Sequence, residues 1–279
     1  MAQTFENMKL IIEYLKRSRN MDLSKYRSGN LEKKVLERIS IRGCTDLAGY
    51  ISLLEVDPQE ADSLAESLLI GHSSFFRDPL TFEYLGSQVL TDMALSRGEK
   101  RNGFLNIWSC GCYTGEEPYS VALLVKELQD KGILKLKINI FGTDINREAL
   151  EHARWGCYSS RSLENSRFGL VKRYFRHDGE RYCLKEDIKG MVHFSEHDLL
   201  SPDSRGPSGI VFSSFDIILC RNVLLYMETE IRKRLFERLY ENLVTGGYLI
   251  LGNAETLPGS FAGRMMEISE PCRIYYKAY

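Results

Sequence analysis

The 279-residue sequence lacks the features of membrane-spanning, secreted and zinc-binding proteins. No apolar run approaches the roughly 18 to 20 residues that span a bilayer, and the N-terminal segment lacks the layout of a signal peptide. The seven cysteines include no C-x-x-C pair, which argues against a zinc site and favours reduced thiols over disulfides. We therefore expect a cytoplasmic protein whose cysteines are all free.

Two common phosphate-binding motifs are also missing. The glycine turn of WSCGCYTGEEPYS, residues 108–120, is followed by Glu116 and Glu117, where a P-loop would have Lys-Ser. A dinucleotide fingerprint would need G-x-G-x-x-G and an acid about 20 residues further on. Here the spacing is G-x-x-x-G, and Asp144 lies 33 residues beyond Gly111. ATP or GTP held by a P-loop, and NAD, are therefore disfavoured.

Charge is unevenly distributed along the N-terminal third. Residues 9–42 hold ten Lys or Arg against four Asp or Glu, whereas residues 43–85 hold one against eight. A basic block can bind nucleic acid, an anionic membrane or an acidic protein surface. Because this block is short and the overall net charge is −1, nucleic acid is not the favoured partner.

Apolar spacing divides the chain into a helical start and an α/β remainder. Three- and four-residue spacing predicts helices over 4–18, 31–42, 45–54, 58–69 and 79–95. From Phe104, buried strands alternate with helices, one of them capped by Asn146. The predicted strands are FLNIWS, KINIFGTD, MVHFSE, FDIILC, GYLILG and CRIYYKAY. This alternation predicts a mostly parallel sheet covered by helices, with its ligand at the carboxyl ends of the strands.

The carboxylates near the glycine turn suit a cofactor that has a ribose and a positive centre but no phosphate. Asp144 could accept hydrogen bonds from both ribose hydroxyls, and a neighbouring glutamate could hold an ammonium group. S-adenosylmethionine has these features. The alternative is that Glu116 and Glu117 are only favourable charges in the first turn of a helix.

Five motifs in order along the chain resemble the CheR-type chemotaxis receptor methyltransferases. They are SSFFRDP, WSCGCYTGEEPYSVA, GTDINREALEHARWGCY, FDIILCRNVLLYM and the Tyr-rich C-terminal strand. The resemblance extends to KYRSGNLEKKVLERI in the helical start and to a hairpin expected around Asp178 and Gly179. It implies an α/β, Rossmann-like sheet of the class I S-adenosylmethionine-dependent methyltransferases. A small N-terminal all-helical domain (1–75) would precede the catalytic domain (76–279), which carries a small antiparallel β-subdomain at about 168–190.

The activity that this resemblance implies is methyl transfer to glutamate side chains of chemoreceptor cytoplasmic domains. It would form γ-methyl esters in chemotaxis adaptation and leave S-adenosyl-L-homocysteine. A glutamate carboxylate is ionised at pH 7, so the enzyme needs no general base and mainly supplies proximity and orientation. A methyltransferase for another substrate, and a cofactor-binding regulator that transfers no methyl group, remain as alternatives.

The resemblance also assigns roles to individual residues. Arg77 and Tyr226 would lie beside the reacting methyl group and are the candidate catalytic residues; their alternatives are an Arg77–Asp78 pair and a packing role for Tyr226. Glu116 is expected to be a solvated helix-start charge. Residues expected to bind the cofactor are Gly71, Ser73, Arg77, Glu117, Asp144, Asp198, Leu199, Arg221 and Asn222.

Three of these positions depart from the residues that the resembling family has. Gly71 stands where asparagine is common and cannot offer a side-chain amide, so one cofactor contact is in doubt. Ser73 replaces the usual threonine but keeps the hydroxyl. Asp198 replaces a frequent asparagine in the segment that flanks the adenine.

The basic block contains a predicted positive stripe. If residues 27–42 are helical, Arg27, Lys34, Arg38 and Arg42 fall within about 80° of one face. The resemblance implies that this stripe approaches the acidic methylation helices of a chemoreceptor's cytoplasmic bundle. The alternative is an ordinary solvated helix face, on which Glu32 and Glu37 dilute the positive charge. The β-subdomain could also bind a receptor C-terminal peptide by adding a strand. We expect a monomer with neither nucleic-acid binding nor membrane insertion.

Overall fold

The computed structural model describes residues 2–19, 28–68, 73–97, 104–201, 206–207 and 214–278. These residues fall into two compact units: those up to 68 together with 226–231, and those of 73–225 and 232–278. Each unit has its own hydrophobic core. Within the described ranges, no helix is both long enough and apolar enough to cross a bilayer.

Residues 2–68 of the N-terminal unit, so far as the structure describes them, form four helices, as the apolar spacing predicts. Their buried side chains form one core, because residues three and four apart share a helix face. Asp46 caps the third helix, accepting a hydrogen bond of 2.7 Å from the Gly49 N–H. The helices are α1 (Ala2–Arg19), α2 (Ser28–Arg42), α3 (Leu47–Val56) and α4 (Pro58–Leu68).

A buried carboxylate links three helices of this unit. Glu60 is only 1% exposed, and it accepts hydrogen bonds from the Arg38 guanidinium and, at 2.6 Å, from the Tyr50 hydroxyl. Arg42 adds a second cation beside the same carboxylate. Burial by itself would raise the pKa of Glu60, but the bonds from Arg38 and Tyr50 outweigh it and hold the pKa below its usual range.

We expect the Glu60→Gln variant to be less stable than the wild type by about 2 kcal/mol near neutral pH, because hydrogen bonds to a charged group are lost. Since folding lowers the pKa of Glu60, its stabilising contribution is present above the unfolded value of 4.5 and is lost as pH falls through the folded value. The difference between the two proteins should therefore shrink below that pH. Urea unfolding between pH 7 and pH 3 measures it, with the exposed Glu55→Gln as a matched control. A difference that does not change with pH would contradict the assignment.

A seven-stranded sheet forms the centre of the larger unit. Its strands are β1 (Phe104–Cys110), β2 (Lys137–Asp144), β6 (Val192–Glu196), β7 (Phe215–Cys220), β8 (Leu243–Leu251), β9 (Met266–Ser269) and β10 (Ile274–Tyr276). They lie in the order β6-β2-β1-β7-β8-β10-β9. The first five strands of this order are parallel, and β10 pairs antiparallel with both β8 and β9. All six residues of β7 are buried, as expected for a strand covered on both faces.

Helices cover this sheet, which confirms the predicted layered architecture. The Asn146 side chain caps α8 through the Ala149 N–H, as predicted. The predicted helix over 79–95 is interrupted by a π-helical turn, Leu85–Val89, between α5 and α6. The helices are α5 (Pro79–Tyr84), α6 (Leu90–Arg97), α7 (Glu116–Asp130), α8 (Arg147–Trp155), α9 (Phe168–Tyr174), α10 (Glu186–Lys189) and α11 (Thr229–Asn242).

A separate three-stranded antiparallel sheet contains the predicted hairpin. Its strands β4 (Phe175–His177) and β5 (Tyr182–Leu184) flank a turn at Asp178, whose carboxylate accepts the N–H of Arg181 at 2.7 Å. The third strand, β3 (Cys157–Tyr158), pairs with β5 and precedes the predicted segment 168–190. Tertiary pairing therefore recruits a strand that local sequence did not mark.

The prediction that all cysteines are free is wrong for two of the seven. Cys157 on β3 and Cys183 on β5 are directly opposed across the antiparallel pair and form a disulfide. Their separation of 26 residues follows no recognisable motif, so the sequence contained no signal of this pairing. The other described cysteines are free thiols.

We expect reduction of this disulfide to lower the free energy of unfolding by about 2 to 3 kcal/mol, because the unfolded chain regains the freedom of the closed loop. Urea unfolding with and without dithiothreitol measures the effect. The double variant Cys157→Ser and Cys183→Ser should match the reduced wild type and should not respond to the reductant. A reductant effect that persists in this variant would assign the stabilisation elsewhere.

Candidate active site

The glycine turn leaves the carboxyl end of β1 in a tight left-handed conformation. Gly111 and Gly115 have φ of +65° and +90°, values that favour glycine. A Cβ at Gly111 would come within 2.7 Å of a Val223 methyl, so a larger residue has no room. The N–H of Cys112 donates to the carbonyl of Thr143 at 2.9 Å, which fixes the turn against the end of β2.

Asp144, the last residue of β2, faces this turn. One of its carboxylate oxygens accepts the N–H of Tyr113 at 2.8 Å, and the other accepts that of Asn146 at 2.9 Å. Burial raises the pKa of Asp144, and these backbone hydrogen bonds oppose the increase. Each carboxylate oxygen retains a second lone pair, so the group can still accept two hydroxyls.

Glu116 begins α7, but the prediction that it is solvated is wrong. Glu116 is 3% exposed, and its carboxylate accepts the Thr114 hydroxyl at 2.7 Å. Burial raises its pKa, and hydrogen bonds from Thr114 and Ser73 oppose the increase. The turn directs this side chain into the protein interior, where its hydrogen bonds with Thr114 and Ser73 stabilise the turn. Ser73, a predicted cofactor residue, lies beside it.

Glu117 and Arg221 form the central ion pair of the site. One Glu117 carboxylate oxygen accepts the Ser109 hydroxyl at 2.7 Å, and the other accepts the Arg221 guanidinium at 3.0 Å. The Arg221 side chain is 1% exposed. It also donates to the Asp78 carboxylate at 2.7 Å and to the Arg77 carbonyl at 2.9 Å.

This guanidinium therefore brings together predicted site residues from three parts of the chain. The Asp78 carboxylate, the alternative partner expected for Arg77, bonds Arg221 through one of its oxygens. Phe76 and Asp78, on either side of Arg77, have φ of 55° and 62°. Such positive values in non-glycine residues are uncommon and are concentrated at functional sites.

The two remaining loops carry Asp198, Leu199 and Asn222. The Asp198 carboxylate accepts the N–H of Leu200 at 2.8 Å, and Leu199 is largely buried. The preceding His197 donates its N–H to the Asp144 carbonyl at 3.0 Å, so this loop lies next to the end of β2. Asn222 follows Arg221 with a φ of 60°.

Glu255 is an important residue that the sequence reasoning missed. It is 3% exposed and accepts backbone N–H groups of Asn222 at 2.9 Å, Leu224 at 2.7 Å and Gly252 at 2.7 Å. The loop after β7 is thereby held in its left-handed turn. The string GNAE carried no signal of this role, because two of the three partners, Asn222 and Leu224, lie more than 30 residues earlier in the chain.

Several predicted residues cannot be located in full. Gly71 and Arg27 lie outside the described residues, and the structure describes the backbone of Tyr226, at the end of a short 3₁₀ helix, but not its side chain.

In the predicted positive stripe, Lys34 pairs with Glu37, Arg38 bonds Glu60, and Arg42 pairs with Asp57 and Glu60. No group of three metal-ligating side chains occurs among the described residues.

The residues present fit S-adenosylmethionine. Asp144 offers two acceptors to ribose hydroxyls, and the Glu117 carboxylate suits an ammonium group. The Nε of Arg221 is a buried donor that has no hydrogen-bond partner among the described residues, so an amino-acid carboxylate would satisfy it. The site therefore offers carboxylates to the ribose hydroxyls and ammonium group of the cofactor and a guanidinium to its carboxylate. The glycine turn would let the backbone approach the cofactor closely.

Family models match nearly the whole chain. Residues 71–271 match the model described as CheR methyltransferase, SAM binding domain, and residues 6–69 match that described as CheR methyltransferase, all-alpha domain. Together with the sheet and the site, these matches define an S-adenosylmethionine-dependent methyltransferase with an α/β catalytic domain and an all-helical N-terminal domain, as the resemblance implied. The chain belongs to the CheR methyltransferase family.

Curated relatives agree with this family. A chemotaxis protein methyltransferase of Borreliella burgdorferi is 27% identical over 92% of this chain and 90% of its own length. Chemotaxis protein methyltransferase 2 of Vibrio cholerae is 32% identical over 81% and 77%. An uncharacterized 104.1 kDa protein of Rhodobacter capsulatus is 30% identical over 88% of this chain but only 25% of its own length.

Proposed function

We propose that this chain methylates glutamate side chains in the cytoplasmic helical part of chemoreceptors, using S-adenosylmethionine. The observation that carries the proposal is that both CheR domains match in order, with the chemotaxis methyltransferases of Borreliella burgdorferi and Vibrio cholerae similar over most of the chain. The receptor and the glutamate specificity come from these relatives and the family. The chemistry of the site agrees with them.

When bound, S-adenosylmethionine would supply an electrophilic methyl group on its sulfonium sulfur, which a glutamate carboxylate oxygen could accept, with the carbon–sulfur bonding pair remaining on sulfur. The attacking carboxylate is ionised at neutral pH, so the protein need not remove a proton. What the chain must do is hold the two reactants in line and exclude water. The ion pair of Glu117 and Arg221 and the acceptor Asp144 orient one reactant.

Arg77 and Tyr226 are proposed to position the glutamate oxygen at the methyl group. The Arg77 carbonyl accepts a hydrogen bond from Arg221, and residues of positive φ flank it on both sides, so its backbone is held beside the Arg221 network. A guanidinium there would attract the substrate carboxylate and align it. Asp198, Leu199, Asn222, Ser73 and Gly71 remain proposed cofactor contacts.

Substrate recognition is proposed to use the N-terminal unit and the small sheet. Lys34, Arg38 and Arg42 lie on α2, and together with Arg27 they are proposed to face acidic receptor helices. Arg38 is the least available of them, because it bonds the buried Glu60. The small sheet has the order β3-β5-β4, so β4 is an edge strand to which a receptor C-terminal peptide could add.

The test is transfer of a labelled methyl group from S-adenosylmethionine to purified receptor cytoplasmic fragments. We expect a base-labile label on glutamate, and no label when the modified glutamates are replaced by glutamine or alanine. Binding of S-adenosylhomocysteine without transfer to any receptor fragment would favour a cofactor-binding regulator. A base-stable label would indicate another acceptor group.

A further inference from the structure

A cavity in the larger unit is distinct from the cofactor site but shares an aromatic wall with it. Its volume is about 540 Å³, within the range of small-molecule sites, and it lies between the π-helical turn 85–89, the C-terminal half of α7 and the segment around α9. None of the described residues assigned to the cofactor lines it. The π-helical turn in its wall is a rare geometry that occurs frequently at functional sites.

The lining of this cavity is apolar inside and charged at its rim. Phe76, Phe82, Leu124 and Leu128 contribute apolar surface. Two ion pairs lie on lining residues, Glu83 with Arg167 and Glu127 with Arg173, and each pair has no net charge. Lys131 adds a further cation, which makes no ion pair within the described part of the chain. The complementary ligand therefore has an apolar body and one negative charge.

The aromatic wall of the cavity contacts the cofactor network. The Phe82 ring lies 5.1 Å from the Arg221 guanidinium carbon, within the range of a cation–π interaction. Phe76 packs edge-on against Phe82, with 5.6 Å between the ring centroids, and its N–H donates to the buried Ser120 hydroxyl at 2.9 Å. A group that fills the cavity would restrict both rings and, through them, Arg221.

We propose that this cavity binds a small amphipathic monoanion, an aryl or alkyl carboxylate or sulfonate, and that its occupancy strengthens cofactor binding. The coupling is expected to be favourable for an entropic reason. A ligand that holds Phe82 against Arg221 restricts these side chains before the cofactor binds, so cofactor binding then loses less conformational entropy. Coupling between two sites is reciprocal, so each ligand raises the affinity of the other by the same factor. We expect a factor of about five, at the low end of the usual range.

The probe is 8-anilinonaphthalene-1-sulfonate, an aryl monoanion whose fluorescence rises in apolar sites. Titration of the full chain should give one saturable site, and saturating S-adenosylhomocysteine should lower the probe's dissociation constant about fivefold. Calorimetry should give the same factor for S-adenosylhomocysteine in the presence of the probe. Binding that does not saturate, that is unaffected by S-adenosylhomocysteine, or that S-adenosylhomocysteine displaces would overturn the proposal.

Three variants locate the site. Gly169 lines the cavity and has no atom within 4 Å of an added Cβ, so Gly169→Leu should fill the space and weaken probe binding at least tenfold. Lys131→Glu should weaken it similarly, whereas Lys135→Glu, an equal charge change on an exposed residue outside the lining, should not. S-adenosylhomocysteine affinity without the probe should stay within twofold in all three. Wild-type probe affinity in both Gly169→Leu and Lys131→Glu would place the probe elsewhere and refute the site.

Discussion

Replacing Arg221 with lysine is expected to lower the affinity for S-adenosylhomocysteine about a thousandfold. The guanidinium bonds Glu117, Asp78 and the Arg77 carbonyl at the same time, and one ammonium cannot reach all three. Lysine also lacks the buried Nε donor that would bind the cofactor's carboxylate, and losing this charge-assisted bond together with the orientation of Glu117 costs about 4 kcal/mol of binding free energy, which corresponds to this factor. Calorimetric titration of the purified variant measures the loss.

The control is Arg147→Lys, the same substitution at a site where the arginine is 78% exposed and pairs with Glu196 on the surface. It should bind S-adenosylhomocysteine as the wild type does. Circular dichroism of both variants tests whether the fold is intact. An affinity for Arg221→Lys within threefold of the wild type would show that the network does not organise the cofactor site.

Replacing Glu255 with glutamine is expected to destabilise the protein by about 3 to 4 kcal/mol and to loosen the loop after β7. The two carboxylate oxygens accept three backbone N–H groups, and an amide turns one acceptor into a donor that faces them. At least one buried N–H is then left without a partner, and the charge assistance of the others is lost. Denaturant unfolding measures the change in free energy.

Hydrogen exchange distinguishes this local role from a general loss of stability. The amides of Asn222, Leu224 and Gly252 should exchange at least tenfold faster under native conditions, while those of the N-terminal unit keep their wild-type rates. Glu270→Gln, at an exposed position, is the matched control and should change neither measurement. Unchanged exchange at these three amides would rule out Glu255 as the residue that holds the loop.

Local sequence patterns predicted those features that depend on a single helix, strand or turn. The strands FLNIWS, KINIFGTD and FDIILC were predicted close to their observed bounds, because buried parallel strands are continuous apolar runs. The Asn146 cap and the Asp178 hairpin turn could also be predicted, because each of these side chains accepts a backbone N–H only three residues further on. Asp144 was singled out because it ends a predicted strand, whereas Glu117 was distinguished from Glu116 only by the resemblance to the CheR family.

Contacts between residues far apart in the chain could not be predicted from the sequence. Arg221 lies 104 residues from Glu117 and 143 from Asp78, and only the closing of the sheet brings them together. The burial of Glu116, the disulfide between Cys157 and Cys183, and the anchor at Glu255 have the same origin.

The sequence by itself determined the helical start, the helix-covered parallel sheet and the carboxylates beside a glycine turn, because backbone periodicity and turn chemistry act over a few residues. The tertiary structure alone decided which charges pair, which carboxylate is buried and where a second cavity remains. Those outcomes depend on loops that meet at the ends of strands far apart in the chain. No pattern within a single loop encodes the partner that the fold will bring to it.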